Sequence, residues 1–185
     1  RSTKYDSVMV DCTGSSYEIV EHLINKGHRK IGVIAGQKGK LTADERCVGY
    51  KRVMEDYGIP IREDYIIEGD FTAISGYEAM KKLWSMKDRP TAVFATNYEI
   101  CLGAMEAIRD MGIRIPEELS FAAFDDFNLS IIIRPHLTAV RQPVKEIAKE
   151  ACELLCRRMN GDYKDFPKMI RLKAECFYRD SVRDL

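Results

Sequence analysis

Short, largely apolar runs alternate along this chain with amphipathic stretches, most of which end on glycine. The runs are Ile31-Gly32-Val33-Ile34-Ala35, Tyr65-Ile66-Ile67-Glu68, Thr91-Ala92-Val93-Phe94-Ala95 and Leu119-Ser120-Phe121-Ala122-Ala123-Phe124. Lacking an apolar/polar alternation, they read as strands buried on both faces, the mark of a parallel sheet. Between them the apolar spacing is helical. Ile19, Val20, Leu23 and Ile24 share a face over 16–26, and Val48, Val53, Met54 and Tyr57 over 43–57. Tyr77, Met80, Leu83 and Trp84 do so over 73–85, and Leu102, Met105, Ile108 and Met111 over 97–111. Gly27, Gly58 and Gly112 stand where a helix turns left-handed to stop. This rhythm predicts an α/β fold: a Rossmann-like parallel sheet, doubly wound, with helices on both faces.

The remaining punctuation is weaker. Thr42-Ala43-Asp44-Glu45 has the form of a capping box, and Asn97 that of an N-cap. A further helix is expected over 143–160, opened by Pro143 and burying Val144, Ile147, Ala151, Leu154 and Leu155. Met169–Leu172 and Cys176–Tyr178 read as strands, and 130–141 reads as irregular.

Composition removes several classes of function. With 185 residues the chain makes one domain, or one and a fraction. Its 29 Lys and Arg balance 29 Asp and Glu, so it has no positive field for non-specific grip on nucleic acid or an anionic membrane. No apolar run reaches the roughly 18 residues of a membrane helix, and no signal peptide is recognisable. Six cysteines without a C-x-x-C pair read as reduced, buried thiols of a cytoplasmic protein. His22, His28 and His136 lack metal-ligand spacing. Neither a nucleophile paired with a base nor a cofactor fingerprint is evident, so the expectation is no enzyme, no metal and no cofactor. The opening Arg1-Ser2-Thr3, without an initiator Met, reads as that of a processed or cloned fragment.

In open α/β sheets ligands bind outside the carboxyl ends of the strands. The first run is followed by Gly36-Gln37-Lys38-Gly39 and then Arg46. After the second come Gly69, Asp70 and Phe71; after the third, Thr96 and Asn97; after the fourth, Asp125 and Asp126. A guanidinium, an aromatic face, an amide and a carboxylate pair suit a small polar ligand rich in hydroxyls. Each also has a plainer reading. Arg46 is a helix-surface ion pair, Phe71 loop packing, Asn97 a cap, and the aspartates turn formers. The combination points to a ligand cleft because four separate strand ends each supply a suitable group.

These residues also carry a resemblance. Glu21-His22-Leu23 with Gly27-His28-Arg29-Lys30-Ile31-Gly32-Val33-Ile34 resembles a signature of bacterial transcription regulators of the lactose repressor family. So do Arg46-Cys47-Val48-Gly49-Tyr50, Gly69-Asp70-Phe71 with Ser75-Gly76-Tyr77, and Arg89–Ala95. Pro116–Ser120, Phe124-Asp125-Asp126 and Leu137–Pro143 complete the series, which spans Val8 to Tyr178.

The resemblance implies a periplasmic-binding-protein-like effector domain of two lobes, with an interlobe cleft and three chain crossings, near 12–14, 138–142 and 163–167. Residues 14–138 with 165–180 then resemble the C-terminal lobe. Residues 1–13 and 143–160 resemble remnants of the N-terminal lobe, the former holding a strand at 7–11. By position, the effector contacts implied are Arg46, Phe71, Asn97, Asp125, Gln142 and, more loosely, Asp11. Two departures stand out: Tyr98 replaces the usual acidic residue, and Ala122-Ala123-Phe124 the usual small residue and glycine before the aspartate. The implied function is sensing of a sugar-like effector by a homodimeric regulator, which contacts its DNA operator through a headpiece outside this sequence. The alternative is a solute-binding protein of a sugar ABC transporter. A small α/β enzyme and a pure oligomerisation module are the other readings.

Overall fold

The computed structural model describes residues 4–126, 132 and 134–185. In chain order its elements begin β1 (Ser7–Val10), α1 (Cys12–Asn25), β2 (Ile31–Ala35), α2 (Leu41–Asp56), β3 (Ile66–Glu68), α3 (Ala73–Ser85) and β4 (Ala92–Ala95). They continue α4 (Tyr98–Asp110), β5 (Ser120–Phe124), β6 (Thr138–Arg141), α5 (Val144–Met159), β7 (Met169–Leu172) and β8 (Glu175–Phe177). Tyr65, expected in the second strand, closes a short 3-10 turn instead.

Six strands form one sheet in the order β3-β2-β4-β5-β6-β8. All pair in parallel except β8, which runs antiparallel to β6. Alternation along the strands divides the core between the two faces. Ile31, Val33, Phe94, Ala122 and Phe124 pack with α1 and α2. Ile34, Val93, Ala95, Phe121 and Ala123 pack with α3 and α4. The doubly wound α/β expectation therefore holds, with β6 a strand in the segment read as irregular. The rest of that segment lies partly outside the described residues. Chain order reverses between β2 and β4, so the switch point of the sheet lies there.

Two local expectations fail. The Thr42–Glu45 capping box does not form. Helix α2 starts at Leu41, and its N-cap, Lys40, makes no side-chain cap bond. The Asp44 carboxylate accepts from Gly39 N instead, and Glu45 is engaged elsewhere. Helix α1 starts a turn before the expected Ser16, because Asp11 caps it by accepting from Gly14 N.

A second, two-stranded sheet pairs β1 with β7 in parallel. Strand β7 was expected in the same lobe as the main sheet; here the segment 165–180 divides after Leu172, with β8 alone joining the larger sheet. Helix α5 packs against β1 and β7. Its expected apolar face is only partly covered. Leu154 is buried and Ile147 half-buried, whereas Val144, Ala151 and Leu155 are exposed. What fixes α5 is Arg158, nine-tenths buried, which makes two bonds to Asp6 at 2.8 and 3.0 Å and one to Asp165 at 2.9 Å. The thiol expectation also divides: all six cysteines are free, but Cys152 and Cys156 are exposed on α5.

Candidate functional site

The carboxyl edge of the six-stranded sheet gathers the residues singled out from the sequence. Arg46, in the second turn of α2, is 5% exposed. Its Nη1 donates to the carbonyl of Thr96, at the end of β4, and lies 3.8 Å from Asp125 Oδ2 after β5. Its guanidinium carbon stands 3.7 Å above the Phe124 ring centroid. A cation on an aromatic face is stabilised most where water is excluded. Arg46 Nε is buried and has no hydrogen-bond partner.

Asp125 and Phe71 share an unusual backbone. Their φ angles are 82° and 68°, and they are the two non-glycine residues with positive φ among the described residues. Each such residue costs about 1–3 kcal/mol, a cost that tends to gather at ligand sites. Asp125 is fixed by its backbone N–H donating to the Val140 carbonyl at 3.0 Å, and by Gln142 Nε2 donating to Oδ1. The Phe71 ring lies against Gly36 at the end of β2, where a Cβ would come 2.2 Å from Phe71 Cε1. Only glycine leaves room for it.

Asn97 caps α4 by accepting from Ile100 N at 2.9 Å, which occupies its oxygen and leaves its NH2 group. Asp11 sits at the junction of β1 and α1 beside Cys12. Burial pushes the Cys12 thiol up, opposed by the adjacent Arg46 guanidinium. Asp125 and Gln142 also line an open cleft of about 690 Å³, together with Pro143, Val144, Lys173 and Glu175. Asp126 follows neither of its readings, ligand group or turn former. Its carboxylate is fully buried between Arg141 and Arg179, at 2.6 and 2.7 Å.

The structure thus brings Arg46 and Gln142 to the same carboxylate, that of Asp125. Phe71 and Asn97 stand along the same edge. The sequence reading missed two groups that hold Arg46, the Thr96 carbonyl and the Phe124 ring. A main-chain acceptor leaves no trace in residue type, and Phe124 stood out only as a departure from a pattern. Among the described residues no group of His, Cys, Asp and Glu could hold a metal ion.

Comparison with known proteins matches residues 20–182 to the family model of the periplasmic binding protein-like domain. The chain belongs to that family. Within it, catabolite control protein A of Priestia megaterium is 34% identical over 178 residues, which cover 96% of this chain and 53% of that protein. A LacI family transcriptional regulator from Enterococcus faecium, solved with bound ribose, superposes with a TM-score of 0.88 at 26% identity, covering 100% of this chain and 68% of that one. A CelR–cellobiose complex gives 0.91 at 30% identity, covering 98% and 55%. The relatives are transcriptional regulators, so the regulator reading is favoured over the transporter one. The chain spans about half the length of the curated relatives it matches. Among the described residues no helix is long and apolar enough to cross a membrane.

Proposed function

We propose that this chain is the ligand-sensing portion of a cytoplasmic, non-enzymatic bacterial transcription regulator. It binds a small, hydroxyl-rich, sugar-like effector between the six-stranded body and a smaller lobe to which β1, α5 and β7 belong. The observation that carries this reading is the pairing of strain and burial at one sheet edge. Left-handed Phe71 and Asp125 belong to the same carboxyl edge as a buried Arg46 that pairs with Asp125. Phe71 supplies an apolar face for a sugar ring. Arg46, Asn97, Asp125 and Gln142 supply donors and acceptors for its hydroxyls, with Asp11 at the junction between sheets. Ribose and cellobiose in the two similar structures fit that chemistry. DNA contact falls to a headpiece outside this sequence, as in regulators of this kind.

The test is a thermal-shift and calorimetric screen of the complete regulator against ribose, cellobiose, sugar phosphates and nucleobases. A ligand that binds the folded state alone raises its stability by mass action. A sugar should do so, and Asp125→Ala should cost at least tenfold in its affinity. Response to a nucleobase alone, or a sugar response untouched by Asp125→Ala, overturns the reading.

We read the same chain as a homodimer through the groove beside α4. That groove has a volume of about 1010 Å³, and its lining mixes Leu102, Met105 and Ile113 with the charged Glu106, Arg109 and Glu117. Light scattering should give a dimer, and Met105→Asp a monomer. A wild-type monomer at tens of micromolar sinks this part.

A further inference from the structure

Glu45 and Arg46 are neighbours on α2, and their side chains leave the helix about 100° apart. Arg46 turns to the sheet edge. Glu45, 8% exposed, turns to the smaller sheet, where Arg171 of β7 grips it with both terminal nitrogens: Nη2 to Oε1 at 2.7 Å and Nη1 to Oε2 at 3.4 Å. Thr13, just past the first crossing, donates its hydroxyl to the Glu45 carbonyl at 3.2 Å. Arg171 sits opposite Met9 in the β1–β7 pair, and Asp11 N donates to the Leu172 carbonyl at 2.9 Å. Adjacent residues of α2 therefore carry two ion pairs: Glu45 with Arg171 towards the smaller sheet, and Arg46 with Asp125, itself bonded by Gln142, at the site.

We infer that Glu45 and Arg171 are a positioning pair, an electrostatic latch that fixes the smaller sheet against the helix carrying Arg46 and so sets the width of the cleft. Main-chain links between the two sheets bend readily. A bidentate ion pair with one buried partner has a fixed direction and distance. Because Glu45 is in the residue next to Arg46, an arrangement of the sheets that breaks the latch also leaves a carboxylate uncompensated beside the site. That penalty separates the arrangements into distinct states, the condition for a ligand to shift their populations. The groups facing the pair are Asp11 and Cys12 on the crossing, both beside Arg171, and Arg46 itself. The functional consequence rests on the reading of the cleft proposed above. The latch does not.

Hydrogen exchange on the chain, without ligand, tests it. Glu45→Gln and Arg171→Gln should each speed exchange at least tenfold at the amides of Ser7–Val10 and Met169–Leu172. The amides of Ile31–Ala35 and Ala92–Ala95 should keep their wild-type protection. The charge-reversed double variant, Glu45→Arg with Arg171→Glu, should return exchange in β1 and β7 towards the wild-type rate. Unchanged exchange in both single variants overturns the latch. So does faster exchange throughout, or loss of the fold, because the pair would then be holding the core and not the relation between the sheets. Failure of the reversed pair to restore protection also overturns it. No ligand enters this experiment, so its failure leaves the reading of the cleft standing.

Discussion

Asp125 Oδ2 lies 3.8 Å from Arg46 Nη1, with the two side chains 10% and 6% exposed. Taking away one member of so buried a pair strands the other charge, typically at a cost of about 3–5 kcal/mol. The Thr96 carbonyl and the Phe124 ring remain for Arg46, so Asp125→Ala should sit at the low end, about 3 kcal/mol. Asp125→Gly loses the same carboxylate but is at ease with a φ of 82°. It should be more stable than Asp125→Ala by about 1 kcal/mol. Urea unfolding compares the two variants. Equal stabilities would remove the claim of backbone strain at this position.

Gly36→Ala is expected to displace Phe71, because the new methyl would stand 2.2 Å from the ring. Overpacking of this kind costs about 1–3 kcal/mol. In a Phe71→Ala background the same substitution should cost almost nothing. A double-mutant cycle measures the coupling, and additive effects would mean that the ring does not depend on Gly36.

His28 makes stability depend on pH. Its ring is fully buried, with Nδ1 2.9 Å from Thr91 Oγ1 and Nε2 3.2 Å from the Arg183 carbonyl. Burial lowers its pKa from 6.5 to about 4. Below pH 6.5 the unfolded chain binds a proton that the folded chain refuses until about pH 4. Its contribution is therefore complete above 6.5 and falls away as the pH drops from there towards 4. The loss reaches at most about 3 kcal/mol. Denaturation midpoints between pH 4 and 7.5 should show this slope, and His28→Asn should flatten it. An equal slope in the variant assigns the effect to other groups.

The outer face of α5 should behave as an adhesive surface. Val144, Leu155 and Met159 are 66%, 62% and 77% exposed. Apolar stripes of this kind bind hydrophobic dyes and promote association. Leu155→Glu with Met159→Glu should reduce dye binding and concentration-dependent scattering while leaving the unfolding midpoint within about 0.5 kcal/mol of wild type. Lost stability would show that the stripe is packed within the chain.

The sequence by itself determined the sheet and its winding. Runs such as Val93-Phe94-Ala95 admit no exposed face, and Gly27 and Gly112 stop their helices by backbone conformation alone, with φ of 92° and 65°. It also determined which strand ends carry ligand-capable groups, because ligands gather at the carboxyl ends and the groups are local to each run. Tertiary structure decided how those groups are used. Asp125 turned to Arg46 and Asp126 to Arg141 and Arg179, though the two aspartates are adjacent and chemically alike. Glu45 left its local cap for Arg171, distant in the chain, because a fully ionised, bidentate partner outcompetes a single backbone N–H. Strand β7 joined β1 through a register that residue type does not encode. Apolar spacing marked one face of α5, but which part is covered depends on the elements packed against it: here Leu154 and Arg158 are buried, while Val144, Ala151 and Leu155 of the expected face stay exposed. Periodicity reports what a segment can bury; the partners that bury it, and the pairing of charges brought together from distant segments, exist only once the chain has folded.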